Sequence, residues 1–338
     1  MHQGKIFPQI SSRLTKLDTL GTWKVRFDIG RMSYTVDPGV YALGQPTIHS
    51  PILVTANYKL TFDALRSAIP DLTAWILVLD TDGINVWCAA GKGTFGTANL
   101  FKHIEQYQIA ELVSHRELIL PQLGAPGICA HEIQKISGFR VIYGPILARD
   151  IPAFMAQGKK ATPAMRIKTF HWQERMVLVP IETVHGMTRM FWLLMLMFFL
   201  SLLLHYHNMQ LGLMIGLKCM ATLLSAFFVA VTLTPLLLPY IPGRALTIKG
   251  WNIGMLWVCI LGIIQYHNMP FTWLEFGGLA SIGLAITGFC AMEFTGATTY
   301  TSLSGVKKEM RWAVPMQLML LILGWISWCA SNIGYVVS

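Results

Sequence analysis

Five apolar segments follow one another in the second half of the chain, and they constrain the fold more than any other feature. The segments run from about Met190–His207, Gly212–Leu233, Trp251–Asn268, Trp273–Phe294 and Ala313–Val336. Each is about long enough to cross a hydrocarbon core of ~30 Å as an α-helix. We therefore predict an all-α membrane domain of five transmembrane helices over residues 190–338.

Charged residues divide the chain at the same place. Residues 1–190 contain 20 Lys/Arg and 14 Asp/Glu, whereas residues 191–338 contain 6 and 3. The first composition is that of a globular protein, with room for one domain and its core. We predict an N-terminal extension over residues 1–33, a cytoplasmic α/β domain over 34–165 and a basic juxtamembrane linker over 166–189.

Basic residues also give the membrane domain a direction. They precede the first apolar segment or lie in alternate loops: Arg166, Lys168, Arg175, Arg189, Arg244, Lys249, Lys307, Lys308 and Arg311. The positive-inside rule places these residues and the N-terminal domain in the cytoplasm, with the C-terminus outside. The first residues lack the apolar stretch of a signal peptide. We predict a multi-pass protein of the inner membrane. The bilayer accounts for much of the net charge of +9, so no nucleic-acid partner is expected.

Strand-like and helix-like runs alternate between residues 39 and 145. For example, the helix-like run 61–69, which Thr61 could cap, lies between the strand-like runs 51–58 and 74–80. This alternation predicts a Rossmann-like α/β layer fold with a mainly parallel sheet. Ligands bind beyond the carboxyl ends of such strands. Four of these ends are rich in Gly, Pro or Asn: Thr55–Asn57, Trp87–Gly93, Gln122–Gly127 and Tyr143–Pro145.

Cys88 lies in one of these four ends, and its surroundings exclude several kinds of site. No two of the six cysteines are within thirty residues of each other, which excludes a local zinc or iron–sulfur cluster motif. The Walker A pattern fails, because Val86 stands where its first glycine should be and Gly93 follows Gly91 and Lys92.

Three interpretations of Cys88 remain open from the residues alone. It could be a nucleophile, because a helix start and the nearby Lys92 favour a thiolate. It could equally be a structural buried cysteine. It could also be the single protein ligand of a metal held in a macrocycle, as in haem thiolate proteins. In that case the small residues Ala89, Ala90, Gly91 and Gly93 would let the backbone approach the ring.

Polar and sulfur-bearing residues also occur inside the apolar segments. Cys219, Cys259, Cys290 and Cys329 are best interpreted as small apolar side chains, because their expected depths in the bilayer disagree. Lys218 could snorkel or pair with Glu275. If these residues had a role in transport, the chain would be a membrane transporter with a ligand-sensing cytoplasmic domain.

The run "NVWCAAGKGTFGT", from Asn85 onward, resembles the signature of the HgcA family, the membrane-bound corrinoid proteins of microbial mercury methylation. Residues 34–160 also resemble the large subunit of the corrinoid iron–sulfur protein. The resemblance implies a corrinoid (cobalamin-type) bound base-off, with the Cys88 thiolate as lower axial ligand of its cobalt. It further implies that Asn85, Trp87 and Lys92 hold the helix that carries Cys88, and that Ala89, Ala90 and Gly91 contact the corrin. The remaining expected contacts are Thr55, Asn57, Val86, Gly93, Gln122, Leu123, Gly124, Ala125, Pro126, Gly127, Tyr143, Gly144 and Pro145.

The activity that the resemblance implies is methyl transfer from methylcobalt to Hg(II), which forms methylmercury. A ferredoxin-like iron–sulfur protein of the HgcB type would act as reductant, since this chain has no cluster motif. A methylated folate, acting through another protein, would supply the methyl group. The alternative is a corrinoid methyl carrier of acetyl-CoA-type one-carbon metabolism. That family differs in carrying an N-terminal cysteine cluster and no membrane helices.

Overall fold

A computed structural model of the protein describes residues 7–268, 271–297, 300 and 303–337. The chain divides into two compact units, Met1–Thr169 and Phe170–Ser338. The first unit is an α/β domain and the second is helical.

A six-stranded sheet forms the centre of the first unit. Its strands are β1 (Gln9–Ile10), β2 (Gly39–Leu43), β3 (Ile52–Ala56), β4 (Ala74–Leu79), β5 (Glu117–Leu120) and β6 (Arg140–Tyr143). They lie in the order β1-β2-β4-β3-β5-β6. Neighbouring strands are parallel except for β2 and β4. Every residue of β3 and β4 is buried, as expected of strands covered on both faces. The predicted α/β fold with a mainly parallel sheet is confirmed.

Helices cover both faces of the sheet. They are α1 (Lys16–Arg26), α2 (Lys59–Ala68), α3 (Val86–Lys92), α4 (Thr97–Gln106), α5 (Ile109–Leu112), α6 (Ala130–Ser137) and α7 (Ile151–Ala156). Short 3-10 turns occupy Arg31–Ser33, Gln122–Gly127, Ala148–Asp150 and Ala164–Arg166. Leu77 of β4 packs with Leu100 of α4, whereas its neighbour Ile76 packs with Phe62 of α2. Alternate residues of one strand thus serve two separate cores.

Two features of the first unit differ from the sequence-based expectation. Helix α2 begins at Lys59 with Tyr58 as its N-cap, so the prediction that Thr61 caps it is wrong. Thr61 instead lies inside the first turn. Residues 7–33, expected as an extension, contribute β1 and α1 to the unit.

The second unit consists of α8 (Trp172–Met176), α9 (Val179–Leu204), α10 (Met209–Leu237), α11 (Leu246–Asn268), α12 (Trp273–Glu293) and α13 (Leu303–Val337), with a 3-10 turn at Phe294–Ala297. Five of these helices are long and apolar enough to cross a membrane. Helices α9, α11 and α13 begin well before the apolar segments do. Arg189, Lys249 and Arg311 therefore lie within helices rather than in the expected linker and loops, because helical hydrogen bonding continues past the end of an apolar segment.

Buried charged side chains satisfy the ends of these helices. The Glu309 carboxylate accepts hydrogen bonds from the backbone N–H groups of Leu246 (3.1 Å) and Thr247 (2.6 Å) at the start of α11. Arg175 donates to the carbonyl oxygens of Pro235 (2.7 Å) and Leu236 (3.0 Å) near the end of α10. Each charge faces the helix end whose dipole it complements.

Lys218 and Glu275 pair inside the helical unit, which is one of the two arrangements expected of Lys218. The Lys218 Nζ lies 3.7 Å from Glu275 Oε2, and only 1% of the Glu275 side chain is exposed. The other carboxylate oxygen, Oε1, is buried and has no hydrogen-bond partner among the described residues. Cys219 and Cys290 are buried, Cys259 is exposed and Cys329 is half-buried, which agrees with small apolar side chains at differing positions.

Candidate functional site

The carboxyl ends of four parallel strands meet at one edge of the sheet. Ala56 at the end of β3 is paired with Leu79 at the end of β4, and Leu120 at the end of β5 is paired with Tyr143 at the end of β6. The polypeptide that follows each strand therefore emerges on the same side. The four glycine-, proline- and asparagine-rich stretches of the sequence are brought together there.

Cys88 lies on α3, the short helix that follows β4. The Asn85 side chain is the N-cap, and its Oδ1 accepts a hydrogen bond from the Cys88 backbone N–H at 3.0 Å. Gly93 ends the helix in the left-handed conformation, with φ of 86°. The helix is thus closed at both ends by residues suited to those positions, and the Asn85 side chain holds the Cys88 backbone.

The two faces of α3 have different roles. Trp87, Cys88, Gly91 and Lys92 are exposed. Val86, Ala89 and Ala90 are buried in the core below the helix. The structure therefore places Ala89 and Ala90 away from the exposed cysteine face, where a ring contact was expected. Their small size instead lets α3 pack closely on the domain.

The turn Gln122–Gly127 packs directly against α3. A Cβ atom added to Gly127 would lie 2.2 Å from the Phe95 carbonyl oxygen and 3.1 Å from the Ala90 Cα. A Cβ on Gly124 would lie 2.5 Å from the Phe95 ring. Gly127 thus lets the turn touch the backbone of α3, and Gly124 leaves room for the Phe95 ring. Ala125 and Pro126 belong to the same turn.

Gly91 differs from Gly124 and Gly127, the two glycines of this turn. Apart from the neighbouring residues of the same helix, no atom of the described residues lies within 4 Å of a Cβ added to Gly91 or to Gly93. Gly93 needs to be glycine because of its positive φ, but Gly91 lies inside a helix, where glycine costs about 1 kcal/mol relative to alanine. Neither the packing nor the backbone conformation of the protein explains a glycine at this position.

Asn57 organises the loop between β4 and α3. Its Oδ1 accepts hydrogen bonds from Thr81 N (3.0 Å), Thr81 Oγ1 (2.8 Å) and Gly83 N (3.1 Å), and its Nδ2 donates to Asp80 Oδ1 (3.1 Å). Only 5% of Asn57 is exposed. Its polar atoms are engaged within the protein, so in this structure Asn57 supports the loop that leads to Cys88.

Two residues of α4 complete this support, and the sequence analysis missed both. Nε2 of the buried His103 accepts a hydrogen bond from the Asp80 N–H (3.3 Å), and Asn99 Nδ2 donates to the Asp80 carbonyl oxygen (2.6 Å). Burial lowers the pKa of His103, against the opposing effect of its contact with the Asn99 backbone. The i,i+4 spacing of Asn99 and His103, beside the apolar positions of α4, could have indicated that both side chains lie on the buried side of this helix.

A largely apolar cavity of about 330 Å³ lies at the same edge of the sheet. Five predicted site residues line it: Thr55, Val86, Leu123, Gly144 and Pro145. The other side of the cavity is lined by Leu60, Thr61 and Ala64 of α2, which were not among the predicted site residues. No pattern in the sequence indicates that this face of α2 borders a cavity.

Two predicted residues make other contacts. Gln122 accepts a hydrogen bond from Arg166 through its side-chain oxygen. Tyr143 donates its hydroxyl to the Ile128 carbonyl oxygen at 2.7 Å, and burial raises its pKa. Both side chains tie together loops at this edge.

Comparison with known proteins shows which protein family the first unit is similar to. Residues 22–155 match the family described as CO dehydrogenase/acetyl-CoA synthase delta subunit. The matched range contains every predicted site residue, including Cys88. The coarser expectation, that this part of the chain resembles proteins of acetyl-CoA metabolism, is confirmed.

Relatives with curated names are similar over the same part of the chain. The gamma subunit of the acetyl-CoA decarbonylase/synthase complex of Methanopyrus kandleri is 31% identical over 122 residues, which is 36% of this chain and 26% of the relative. The corresponding subunit of Methanocaldococcus jannaschii is 39% identical over 97 residues, or 28% of this chain and 20% of the relative. That of Methanothermobacter thermautotrophicus is 34% identical over 127 residues, or 37% and 27%. The chain thus spans about a quarter of the length of these relatives.

Proposed function

We propose that the first unit binds a corrinoid on the exposed face of α3, with the Cys88 thiolate as the protein ligand of its cobalt, and that it acts in methyl transfer. The observation that carries this proposal is the exposed Cys88 thiol beside the open space at Gly91. The relationship to subunits of acetyl-CoA synthase complexes supports it independently.

The residues around Cys88 fit a large planar group. Cys88, Gly91 and Lys92 are spaced i, i+3 and i+4, so they share one face of the helix. The missing side chain at Gly91 leaves that face flat next to the sulfur. A macrocycle supplies the other in-plane donors to its metal, so a single protein thiolate is sufficient. The cavity that Thr55 and Gly144 line would receive part of a base-off side arm.

The bound corrinoid would supply a cobalt-carried methyl group. The contribution of the chain is to position and tune the thiolate. Asn85 fixes the backbone of Cys88, and Asn57 and His103 fix the Asp80–Gly83 loop before it. Lys92 lies one turn further along the same exposed face. An anionic sulfur is an electron-rich donor to the metal.

Two methyl-transfer activities have support. The names of the relatives favour a methyl carrier of acetyl-CoA-type one-carbon metabolism. The HgcA-like signature over Asn85–Lys92, together with five helices able to cross a membrane, favours transfer to Hg(II) and formation of methylmercury. For the second activity we propose a ferredoxin-like reductant, a methylated folate as methyl source, and a cytoplasmic position of the first unit.

The test uses the full chain in detergent, loaded with methylated corrinoid and supplied with reductant. Hg(II), and an acetyl-CoA synthase together with carbon monoxide and coenzyme A, are offered separately as acceptors, and methylmercury and acetyl-CoA are measured. We expect bound corrinoid to colour the protein, and we expect one product that Cys88→Ala abolishes and Cys129→Ala retains. Cys129 is a matched control, because it is a half-buried cysteine at the same edge of the sheet. Colourless protein after loading would refute corrinoid binding and favour the transporter alternative.

A further inference from the structure

Helix α1 is oriented with its apolar side outward. Leu17, Leu20, Trp23 and Phe27 recur at helical spacing, and their side chains are 79%, 51%, 52% and 44% exposed. These four residues are called the α1 face. Contiguous exposed apolar side chains of this size mark interaction sites on soluble domains.

The opposite side of α1 holds it firmly on the domain. The Asp18 carboxylate lies 2.5 Å from Lys59 Nζ and 2.9 Å from Arg66 of α2. Gly21 lies against the Tyr34 ring, and Val25 is buried. The polar side of the helix is thus the anchored side, and the apolar side is left uncovered.

This anchoring persists at neutral pH. Burial alone would raise the pKa of Asp18, but hydrogen bonds from Lys59, Thr15 and Arg66 hold it well below its usual value. A capping box between Thr15 and Asp18 also fixes the start of the helix. The exposure of the α1 face therefore belongs to a helix whose orientation is determined by several independent contacts.

Basic residues surround the α1 face. Five of them lie on α1 or next to it: Arg13, Lys16, Lys24, Arg26 and Arg31. The acidic residues of the same stretch are Asp18, which is engaged by Lys59 and Arg66, and Asp28. The surface therefore combines exposed Leu, Trp and Phe with an excess of positive charge, which is the composition of helices that lie in a membrane interface.

We propose that the α1 face binds the surface of a phospholipid bilayer that contains anionic headgroups. The positive rim complements such headgroups, and Trp23 belongs to the residue type enriched at the membrane interface. The chain also contains five helices long and apolar enough to cross a membrane, which is consistent with a bilayer as the occupant of this face. The proposal does not depend on the corrinoid or on the methyl acceptor.

Photo-crosslinking in the full chain tests this proposal. Benzoylphenylalanine replaces Leu20, or as a matched control Ile136 of α6, which is 45% exposed. The protein is placed in nanodiscs of equal parts phosphatidylcholine and phosphatidylglycerol, and lipid adducts are measured by mass spectrometry. We expect severalfold more lipid adduct at position 20 than at 136, and a loss of that excess in phosphatidylcholine alone or with Lys16→Glu and Lys24→Glu.

Equal lipid adduct at the two positions would overturn the proposal. A crosslink from position 20 to a second polypeptide would also overturn it and assign the α1 face to a protein partner. Amide hydrogen exchange of the chain without benzoylphenylalanine tests the same contact where the label cannot have caused it. We expect slower exchange over residues 16–26 in anionic than in neutral nanodiscs, with no change over α6, and equal exchange in both would contradict the proposal.

Discussion

The Asn85 side chain and the Cys88 backbone are joined by a hydrogen bond of 3.0 Å. Asn85 is the N-cap of α3, and Cys88 is the third residue of that helix. The proposed metal ligand is thus held by its neighbour three positions earlier. Loss of an N-cap costs roughly 0.5–2 kcal/mol, which is enough to unwind a helix of seven residues.

We expect Asn85→Ala to weaken corrinoid binding and to speed hydrogen exchange over residues 86–92. Asn85→Asp keeps an oxygen acceptor at the same place and should behave much like the unaltered protein. Corrinoid titration and exchange mass spectrometry on the full chain measure both effects. Unchanged binding by Asn85→Ala would show that the cap does not position Cys88.

Two glycine substitutions distinguish a glycine that corrinoid binding needs from a glycine that folding needs. Gly91→Ala fills open space, so we expect folding stability to be unchanged or raised by up to about 1 kcal/mol, while corrinoid binding is lost. Gly127→Ala meets backbone atoms of Phe95 and Ala90, so we expect it to destabilise the domain by roughly 1–3 kcal/mol. Thermal unfolding and corrinoid titration distinguish the two, and normal binding by Gly91→Ala would contradict a ring on that face.

His103 makes the stability of the first unit depend on pH. Burial lowers its folded pKa below the usual 6.5, so the unfolded chain takes up a proton at a higher pH than the folded protein does. The contribution of neutral His103 is therefore complete above about pH 6.5 and decreases as the pH falls from there toward the folded pKa. We expect His103→Gln to flatten the fall in unfolding temperature over this window, whereas the exposed His131→Gln should leave it unchanged. A slope that persists in His103→Gln would assign it to other groups.

The Lys218–Glu275 pair predicts a non-additive pair of substitutions. Lys218→Met leaves a buried carboxylate without its nearest cation, which typically costs about 3–5 kcal/mol. Adding Glu275→Gln removes that charge, so the double variant should recover most of the lost stability. Unfolding of Lys218→Met, Glu275→Gln and the double variant in mild detergent measures the coupling. Additive losses would mean that the two side chains stabilise the helices independently.

Strand positions and the convergence of their ends could be predicted because they depend on local pattern and on one rule of parallel sheets. The apolar run of β4 and the glycine-rich stretch after it fixed the place of Cys88. The roles of individual residues depended on contacts distant in sequence. Asn57 was expected to touch a ligand, but its partners are twenty-three to twenty-six residues away in the Asp80–Gly83 loop. Ala90 is buried where the turn formed by residues 122–127 packs against α3, and no pattern within α3 shows this.

The first and last residues of a helix in the second unit could be predicted only where the helix and its apolar segment begin or end at the same residue. Helix α12 begins at Trp273, as predicted. Helix α13 begins at Leu303, ten residues before the predicted segment, because Lys307 and Arg311 are compatible with a helix but not with hydrocarbon. Hydropathy reports the apolar part of a helix and not its full length.

The central claim is that the Cys88 sulfur is a ligand of a corrinoid cobalt. The most direct measurement is the visible absorption spectrum of the full chain loaded with corrinoid, compared between the unaltered protein, Cys88→Ala and Cys129→Ala. We predict that Cys88→Ala alone shifts the spectrum to that of a corrinoid without a sulfur ligand, while circular dichroism shows that all three proteins remain folded. Identical spectra for the unaltered protein and Cys88→Ala would contradict the claim.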